Sequence, residues 1–387
     1  MTANQLAYFN AGSDQFQETQ SVSTPGSVGL GPRFNSTSCG SCHSQPAIGG
    51  TSPAVNPQFA AAADFGGTNV IPSFITLNGP IREARFKSDG GVHALFTIIG
   101  RSDAPGCNIQ QPDFNFQASH NNLSFRIPTP VFGAGLIESI QDSTIIANMN
   151  ADKEAKERKG IHGHPNRNGN DGTITRFGWK AQNKSLLLFA GEAYNVEMGV
   201  TNEIFNTERD ETNGCLFNGT PEDNVVYDAT TGLDAASDVT LFTQFMRFLA
   251  PPTQKPLTPT SERGQRIFMA VGCAMCHTPQ LQTGPSSIAA LSHQPVNLYS
   301  DLLVHNMGEG LEDGITQGLA GHHDFRTAPL WGLGQRLFLL HDGRTTDLLR
   351  AIQDHKSNGS EANKVIEEFD GFDQNDKNAL FEFLRSL

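Results

Sequence analysis

The chain has 387 residues, enough for two or three domains with cores of their own. Its net charge is −13 with His neutral and only 17% of residues are charged, which argues against nucleic-acid binding and leaves two uses for the acidity: steering a basic electron-transfer partner, or solubility alone. No run approaches 18 apolar residues, so no membrane span is expected.

Residues 1–38 are polar and rich in Gly, Ser and Thr, and the pattern predicts only a short helix before Gly29-Leu30-Gly31-Pro32-Arg33-Phe34-Asn35. That stretch leads into Cys39-Gly40-Ser41-Cys42-His43. Pro46, Gly49, Gly50 and Pro53 then mark loop. Alternating runs from Phe74 to Ile99, such as Val92 to Ile99, predict a few strands or a small hairpin. Phe114 to Phe132 mixes Asn, Pro and Phe and reads as irregular packing. Ile137 to Arg158 predicts one helix, with Asp142 or Ser143 as its N-cap. Gly160 to Gly172 is loop, and Leu186 to Glu197 and Ala236 to Leu249 are helical by period. Four prolines between Ala250 and Pro259 mark a linker, and the domain boundary is placed there. Beyond it, Ser261 or Thr260 caps a helix with Gly264 and Phe268 on one face, running into Cys273-Ala274-Met275-Cys276-His277. Thr346 to His355 predicts another helix, and Asp376 to Leu384 closes the chain.

Two C-x-x-C-H clusters use four of the six cysteines. Thiols at this spacing can each add to a vinyl group of one haem, and the adjacent His reaches the iron. A zinc half-site or a redox pair uses the same cysteine spacing. Two copies that both end in His favour two covalently bound haem c groups, held by Cys39, Cys42 and His43 and by Cys273, Cys276 and His277. The fold expected is mainly α, with two class I cytochrome c-like domains, 1–250 and 251–387. Leu241 to Leu249 resembles the closing helix of the second domain, which points to internal duplication; the first copy carries a loop and β insertion at about 50–170. Gly264 would permit close helix crossing and Phe268 would pack at the haem edge. Haem c attachment normally takes place outside the cytoplasm, so a periplasmic or other extracytoplasmic site is expected. An export signal is then expected to have been removed, with Met1 artificial. Cys107 and Cys215 fit an oxidising compartment and are expected to pair, with two free thiols as the alternative.

The second haem needs a sixth ligand or an open site. Met307, His322, His323, His341 and His355 lie downstream of His277, and spacing does not choose among them. Leu340-His341-Asp342-Gly343-Arg344 to Ile352 resembles the segment after the second haem motif in bacterial di-haem cytochrome c peroxidases and the MauG enzymes. The resemblance puts the distal ligand fourteen residues past the H-D-G histidine, at His355. Met or Tyr is usual there, so a bis-histidine haem of lowered potential is implied, with Met307 as the alternative ligand. Arg176-Phe177-Gly178-Trp179-Lys180-Ala181 to Glu197-Met198-Gly199 resembles the same family's segment with the inter-haem Trp and the distal Glu. It implies Trp179 as the electron bridge and Glu197 as the acid–base carboxylate of a peroxidatic haem. On the residues alone, a core aromatic and a solvated helix-end charge are the plainer readings.

Across residues 29 to 387 the chain is similar to the di-haem oxidoreductase family of peroxidases and thiol oxidoreductases, through Gly29 to His43, Phe132 to Glu138, Arg176 to Gly199 and Asp324 to Gly334. Two departures stand out. No His lies between His43 and His93, so the first haem is expected to be five-coordinate or ligated by His93, His120, His162 or His164. The peroxidases also hold calcium partly through backbone carbonyls, which would be those of Arg336 and Phe338 here, with Asn166 or Asn168 beside them. The resemblance implies an extracytoplasmic peroxidase that takes electrons from a donor cytochrome or cupredoxin at the His277 haem. They pass to the His43 haem, where hydrogen peroxide or another small oxidant is reduced. The alternatives are a non-catalytic di-haem electron carrier and an oxygen-activating di-haem oxygenase.

Overall fold

The structure is a computed structural model that describes every residue except 23–28, 69, 92, 95–99 and 208–211, and the side chains of 62–64, 93 and 94. Among the described residues it is mainly helical: thirteen α-helices and seven strands of two to four residues. The chain forms two compact units. One comprises Met1–Val131, Leu186–Leu249 and His341–Gly343; the other comprises Phe132–Ser185, Ala250–Leu340 and Arg344–Leu387. The segment Phe132–Ser185, read from sequence as part of the first domain, therefore belongs to the second unit. Its backbone bridges show why: Ile140 pairs with Thr283 and His164 with Val304. Ile161 also enters the apolar core around Phe268.

The first unit opens on a helix longer than its polar composition suggested, Ala3–Gln17. A capping box between Thr2 and Gln5 starts it. Gly12 lets it cross the helix Asp238–Phe248 at close range, because a Cβ there would lie 2.2 Å from the Leu241 carbonyl oxygen. Phe16, four residues on, packs its ring 4.9 Å from that of Phe245. The insertion holds a three-stranded antiparallel sheet with Glu83–Phe86 in the centre, His93–Ala94 on one side and Leu123–Arg126 on the other. Leu123–Arg126 and the helix Phe114–Ser119 lie where the sequence read irregular packing. Phe74, Phe86, Phe114 and Phe125 pack together there, so the aromatic side chains form a small core of their own. The rest of the expected strand run, Val92 and 95–99, lies outside the described residues. A disulfide joins Cys107 to Cys215, closing a loop of 108 residues in sequence separation.

The second unit repeats the helix-crossing device. Its helix Pro259–Val271 is capped by Thr258, in a box with Ser261 and with Pro259 at the first helical position; Thr260 and Ser261 are not the cap. A Cβ on Gly264 would fall 2.0 Å from the carbonyl oxygen of Ala379 in the helix Gln374–Leu384. Phe268, four residues on, packs 5.4 Å from Phe383 and 6.0 Å from Tyr299. These rings sit in a core with Val271, Val365, Phe369, Leu380 and Leu384, and Cys273 and Cys276 border it. The expected outcome for Gly264→Ala is a loss of about 1–3 kcal/mol of stability, because backbone must move to admit the methyl group. A lowered thermal midpoint in calorimetry checks it, and an unchanged midpoint would show that the two helices separate freely.

The single helix expected over Ile137 to Arg158 is three: Ala134–Glu138, Asp142–Asn150 and Lys153–Lys159. Asp142 does not cap. Its carboxylate accepts from the Ile174 N–H at 2.9 Å and pairs with Arg176. Asp152 at φ +52° separates the last two helices. The helix Leu348–Gln353, capped by Asp347, ends before His355.

Candidate functional site

Within the first unit, Cys39–Cys42 form one helical turn and His43 follows it. The His43 Nδ1 hydrogen-bonds the Gly50 carbonyl oxygen at 3.0 Å. The Phe16 ring lies edge-on, 5.9 Å away. Burial pushes the His43 imidazole down to about 4, so it is neutral across the physiological range. The second unit builds the same arrangement. The His277 Nδ1 hydrogen-bonds the Tyr299 carbonyl oxygen at 3.0 Å, and the Phe268 ring is 6.5 Å away. Burial, then the neighbouring His355, push His277 down to about 4. A backbone carbonyl on Nδ1 fixes the tautomer and ring orientation and leaves Nε2 as the free electron pair, which is how ligating histidines are commonly held. His43 and His277 are each partly buried as residues.

The cysteines fit haem attachment better than the other uses of their spacing. Burial pushes Cys39 and Cys273 up to about 12 and Cys42 up to about 11. A reactive redox C-x-x-C pair needs an accessible thiolate, and the raised Cys39, Cys42 and Cys273 thiols work against one here.

Around Cys39 the unit collects acidic groups. The backbone of the Gly29 to Asn35 stretch runs along Glu197 to Val200: Gly31 N–H donates to the Met198 carbonyl at 2.9 Å and Asn35 N–H to the Glu197 carbonyl at 2.8 Å. A Cβ on Gly31 would lie 2.6 Å from the Gly199 Cα, so the approach requires glycine. The crossing brings the Met198 Sδ 3.9 Å from the Cys39 Sγ. It also holds the Glu197 side chain, whose Oε2 accepts from the Asn35 amide at 2.7 Å. Glu197 is close enough to raise both Cys39 and Cys42. Its carboxyl is raised well above the ordinary value by burial, then by the charge and hydrogen bond of Glu83, against the pull of Asn35 and Arg85. Arg85 pairs with Glu83 and donates from Nη1 to the Gly91 carbonyl at 3.0 Å. Two carboxyls in one partly buried site cannot both ionise readily, so the pair favours sharing a proton. Such a pair can take up a proton on one carboxyl and release one from the other. Sequence reading singled out Glu197 but missed Glu83 and Arg85, which arrive on a strand with no local motif. Asn35 was within a quoted segment without being given a role.

In the second unit, His355 is the one sequence candidate whose charge reaches His277. Its Nδ1 hydrogen-bonds the Ala351 carbonyl oxygen at 2.7 Å, which repeats the orientation seen at His43 and His277. Burial lowers its pKa. Met307 is half-buried, His322 is exposed and His323 pairs with Glu312 at 3.3 Å. His341 belongs to the first unit, where its carbonyl accepts from Ile127 N–H at 2.8 Å. His305, which the sequence did not signal, is buried with Nε2 2.9 Å from Asp301 and Nδ1 2.8 Å from Glu361. Both ring nitrogens therefore face carboxylates, and the Cys276 Sγ is 3.6 Å from Nδ1. The partly buried Trp179 lies in the second unit; its carbonyl oxygen accepts from Arg326 N–H at 2.8 Å.

His120 is exposed and bonds its own helix through the Phe116 carbonyl at 2.8 Å. His162 and His164 belong to the second unit, and the His93 side chain lies outside the described residues. The asparagines suggested for calcium are already engaged. The Asn166 Oδ1 accepts from Arg167 and Leu319 N–H groups at 2.9 and 2.8 Å, and the Asn168 Oδ1 from Asn170 N–H at 2.8 Å. No cluster of three or more His, Cys, Asp or Glu able to hold a metal ion occurs among the described residues.

A mainly helical chain with two cysteine–histidine clusters, each beside a phenylalanine from a glycine-crossed helix, is what a two-haem oxidoreductase requires. The family described as "Di-haem oxidoreductase, putative peroxidase" matches residues 92–387, and the chain belongs to it. No curated protein matches. Among solved structures, the diheme peroxidase BthA from Burkholderia thailandensis is 12% identical, covering 83% of this chain and 95% of that one, at a TM-score of 0.33. A MauG-like protein associated with microbial copper homeostasis is 17% identical over 41% of this chain and 55% of that one, at 0.30. Hydrazine synthase from Kuenenia stuttgartiensis is 18% identical over 45% and 59%, at 0.26. The chain thus spans less than two thirds of the length of the last two. No helix among the described residues is long and apolar enough to cross a membrane.

Proposed function

We propose that the protein is an extracytoplasmic di-haem c-type peroxidase, with one cytochrome c-like haem domain in each of the two units. Cys39, Cys42 and His43 would hold the first haem; Cys273, Cys276, His277 and His355 would hold the second. Hydrogen peroxide is the substrate, and a periplasmic cytochrome or cupredoxin is the donor. His277 and His355 would hold the haem that receives electrons, Trp179 would lie on the path between the two haems, and His43 would hold the haem that reduces peroxide; bound there, haem would supply the redox chemistry for H2O2 + 2e⁻ + 2H⁺ → 2H2O. The protein's own part is proton handling. Glu197 takes the proton from one peroxide oxygen and delivers it to the other, which must leave as water. Asn35 fixes the Glu197 carboxyl, and the charge of Glu83, paired with Arg85, favours a proton on it.

The observation that carries this reading is the partly buried Glu197–Glu83 pair beside the first cysteine–histidine cluster. A pure electron carrier has no use for a raised carboxyl at that position. The test is an oxidised-state spectrum with added cyanide, together with peroxide turnover using a reduced cytochrome. Two haems per chain, cyanide binding at one of them and peroxide consumption are expected. Two capped irons with no peroxide consumption would make the protein a carrier instead. His355→Met should raise the midpoint potential of the low-spin haem, because a thioether favours the reduced iron. Potentiometry checks it, and an unmoved potential would remove His355 from the ligand set.

A further inference from the structure

His305 joins the two sides of the second cysteine–histidine cluster. Its Nε2 lies 2.9 Å from an oxygen of the buried Asp301 and its Nδ1 2.8 Å from an oxygen of the partly buried Glu361, so the ring donates in both directions. A Cβ on Gly163 would lie 2.1 Å from the His305 Cε1, so backbone closes directly over the ring.

The Asp301 arm leads to the C-x-x-C-H cluster. The Asp301 N–H donates to the Cys276 carbonyl at 2.9 Å, and two residues earlier the Tyr299 carbonyl accepts from His277 Nδ1 at 3.0 Å. Tyr299 and Leu302 have left-handed φ, +52° and +62°, which residues other than glycine keep only where their surroundings impose it. The Ser300 hydroxyl oxygen accepts from Leu302 N–H and the Asp301 carboxylate from Leu303 N–H, both at 3.0 Å, and these bonds impose it here.

The Glu361 arm leads to His355. Glu361 exchanges two bonds with Asn306: its Oε1 accepts from the Asn306 N–H at 3.2 Å and its own N–H donates to the Asn306 carbonyl at 2.9 Å. Its Oε2 also accepts from the His162 N–H at 2.8 Å. The preceding residue, the buried Ser360, donates its hydroxyl to the His355 carbonyl at 2.6 Å. Asn363 closes the same loop on Ser357, donating to its carbonyl at 2.8 Å and accepting from its N–H at 3.1 Å. Contacts thus run from His277 through Tyr299, Asp301, His305, Glu361 and Ser360 to His355, with the His305 ring at the centre. Ionisable groups packed together inside a protein often stabilise it less than apolar residues of the same volume, so what they contribute is the arrangement they fix.

We propose that His305 is a positioning residue for the second haem: with Asp301 and Glu361 it braces the backbone that orients His277 against the loop that carries His355, and so keeps His355 on the iron. The inference rests on the di-haem reading and on His355 as the distal ligand. A ligand carried on a loop leaves the iron when the loop opens, so bonds that favour the closed loop favour ligation by the same free energy.

The test compares the wild-type holoprotein with His305→Phe, Glu361→Gln and the double variant, all matured in a host that attaches haem c. His305→Phe keeps a ring and removes both donors. Glu361→Gln keeps an acceptor for His162 and Asn306 and removes the charge. A denaturing haem stain gives haem content, electron paramagnetic resonance of the oxidised protein reports the ligands of the low-spin haem, and cyanide titration reports displacement of His355. Both haems should remain attached. The low-spin haem should bind cyanide about tenfold more tightly in either single variant, the effect of one lost charge-assisted hydrogen bond. The double variant should go little further, because both changes break one chain of bonds. A variant with two haems, a wild-type resonance spectrum and wild-type cyanide affinity overturns the proposal even if its thermal midpoint falls, since the bridge is then structural only. Additive effects in the double variant overturn it too. Should His305→Phe fail to fold, Glu361→Gln decides by the same readouts. A wild-type chain without haem stain removes the di-haem reading, and a wild-type low-spin haem without a bis-histidine signal removes His355 as ligand. Either takes this proposal with it, and both are seen before any variant is made.

Discussion

Glu197→Gln is expected to lower peroxide turnover by about 10²–10⁴-fold, the usual contribution of one positioned acid–base group. Both haems should remain attached, because Glu197 lies outside the two C-x-x-C-H clusters. The amide keeps the shape and the contact with Asn35, whose side-chain N–H donates to the present carboxylate at 2.7 Å. What it loses is the capacity to carry a proton. Steady-state turnover with a reduced donor, alongside a haem stain, separates the two effects. Wild-type turnover in a fully loaded Gln variant would sink the acid–base role.

The neighbouring Glu83→Gln has a different signature. The Glu197 carboxyl is raised first by burial and then by the charge and hydrogen bond of Glu83. Without that charge its folded-state pKa falls, so its ionised form persists to lower pH. The acid limb of the turnover profile should therefore move to lower pH, with turnover on the plateau little changed. The sign for stability follows from the same shift. A carboxyl raised on folding contributes stability that is complete below its unfolded pKa and lost as pH rises through the folded value. The wild-type protein should accordingly lose stability from this pair as pH rises through that raised value, and Glu83→Gln should lose less.

Different parts of this arrangement were legible in the sequence for different reasons. The C-x-x-C-H clusters are contiguous, so their chemistry is written in five adjacent residues. Gly264 and Phe268 could be read because a glycine and an aromatic four apart share a helix face. Gly12 and Phe16 have the same spacing and the same use, but the polar residues around them hid the helix. The opening helix has little amphipathic contrast, and its existence depends on the capping box at Thr2 and on burial against Asp238–Phe248. Long-range partners left no local trace. Glu83 and Arg85 sit on a four-residue strand far from Glu197, and His305 meets Glu361 only through the fold. The expected helix over Ile137 to Arg158 is interrupted between Glu138 and Asp142 and again at Asp152, whose φ of +52° no periodicity signals.

Lys180 illustrates the last kind of residue most sharply, and its removal should have the largest effect on stability. A lysine in a Trp-Lys-Ala stretch reads as surface; here it is fully buried against an equally buried Asp313, with the ammonium 2.9 Å from the carboxylate. The carbonyls of Gly321 and Asp324 accept from the same ammonium at 2.8 and 2.9 Å, and the Phe325 ring lies 4.2 Å from it. An ammonium so enclosed acts as an internal cation that ties the 313–325 segment to the residue beside Trp179. Lys180→Met leaves a buried carboxylate and two carbonyls without their charge, and such a broken pair costs about 3–5 kcal/mol. Lys180→Met with Asp313→Leu should cost clearly less than the sum of the single changes, since no charge is then stranded. Chemical denaturation of the haem-loaded protein measures both. Additive losses would mean that the two groups hold the segment independently, and a single variant as stable as wild type would mean that water replaces the ammonium at no cost.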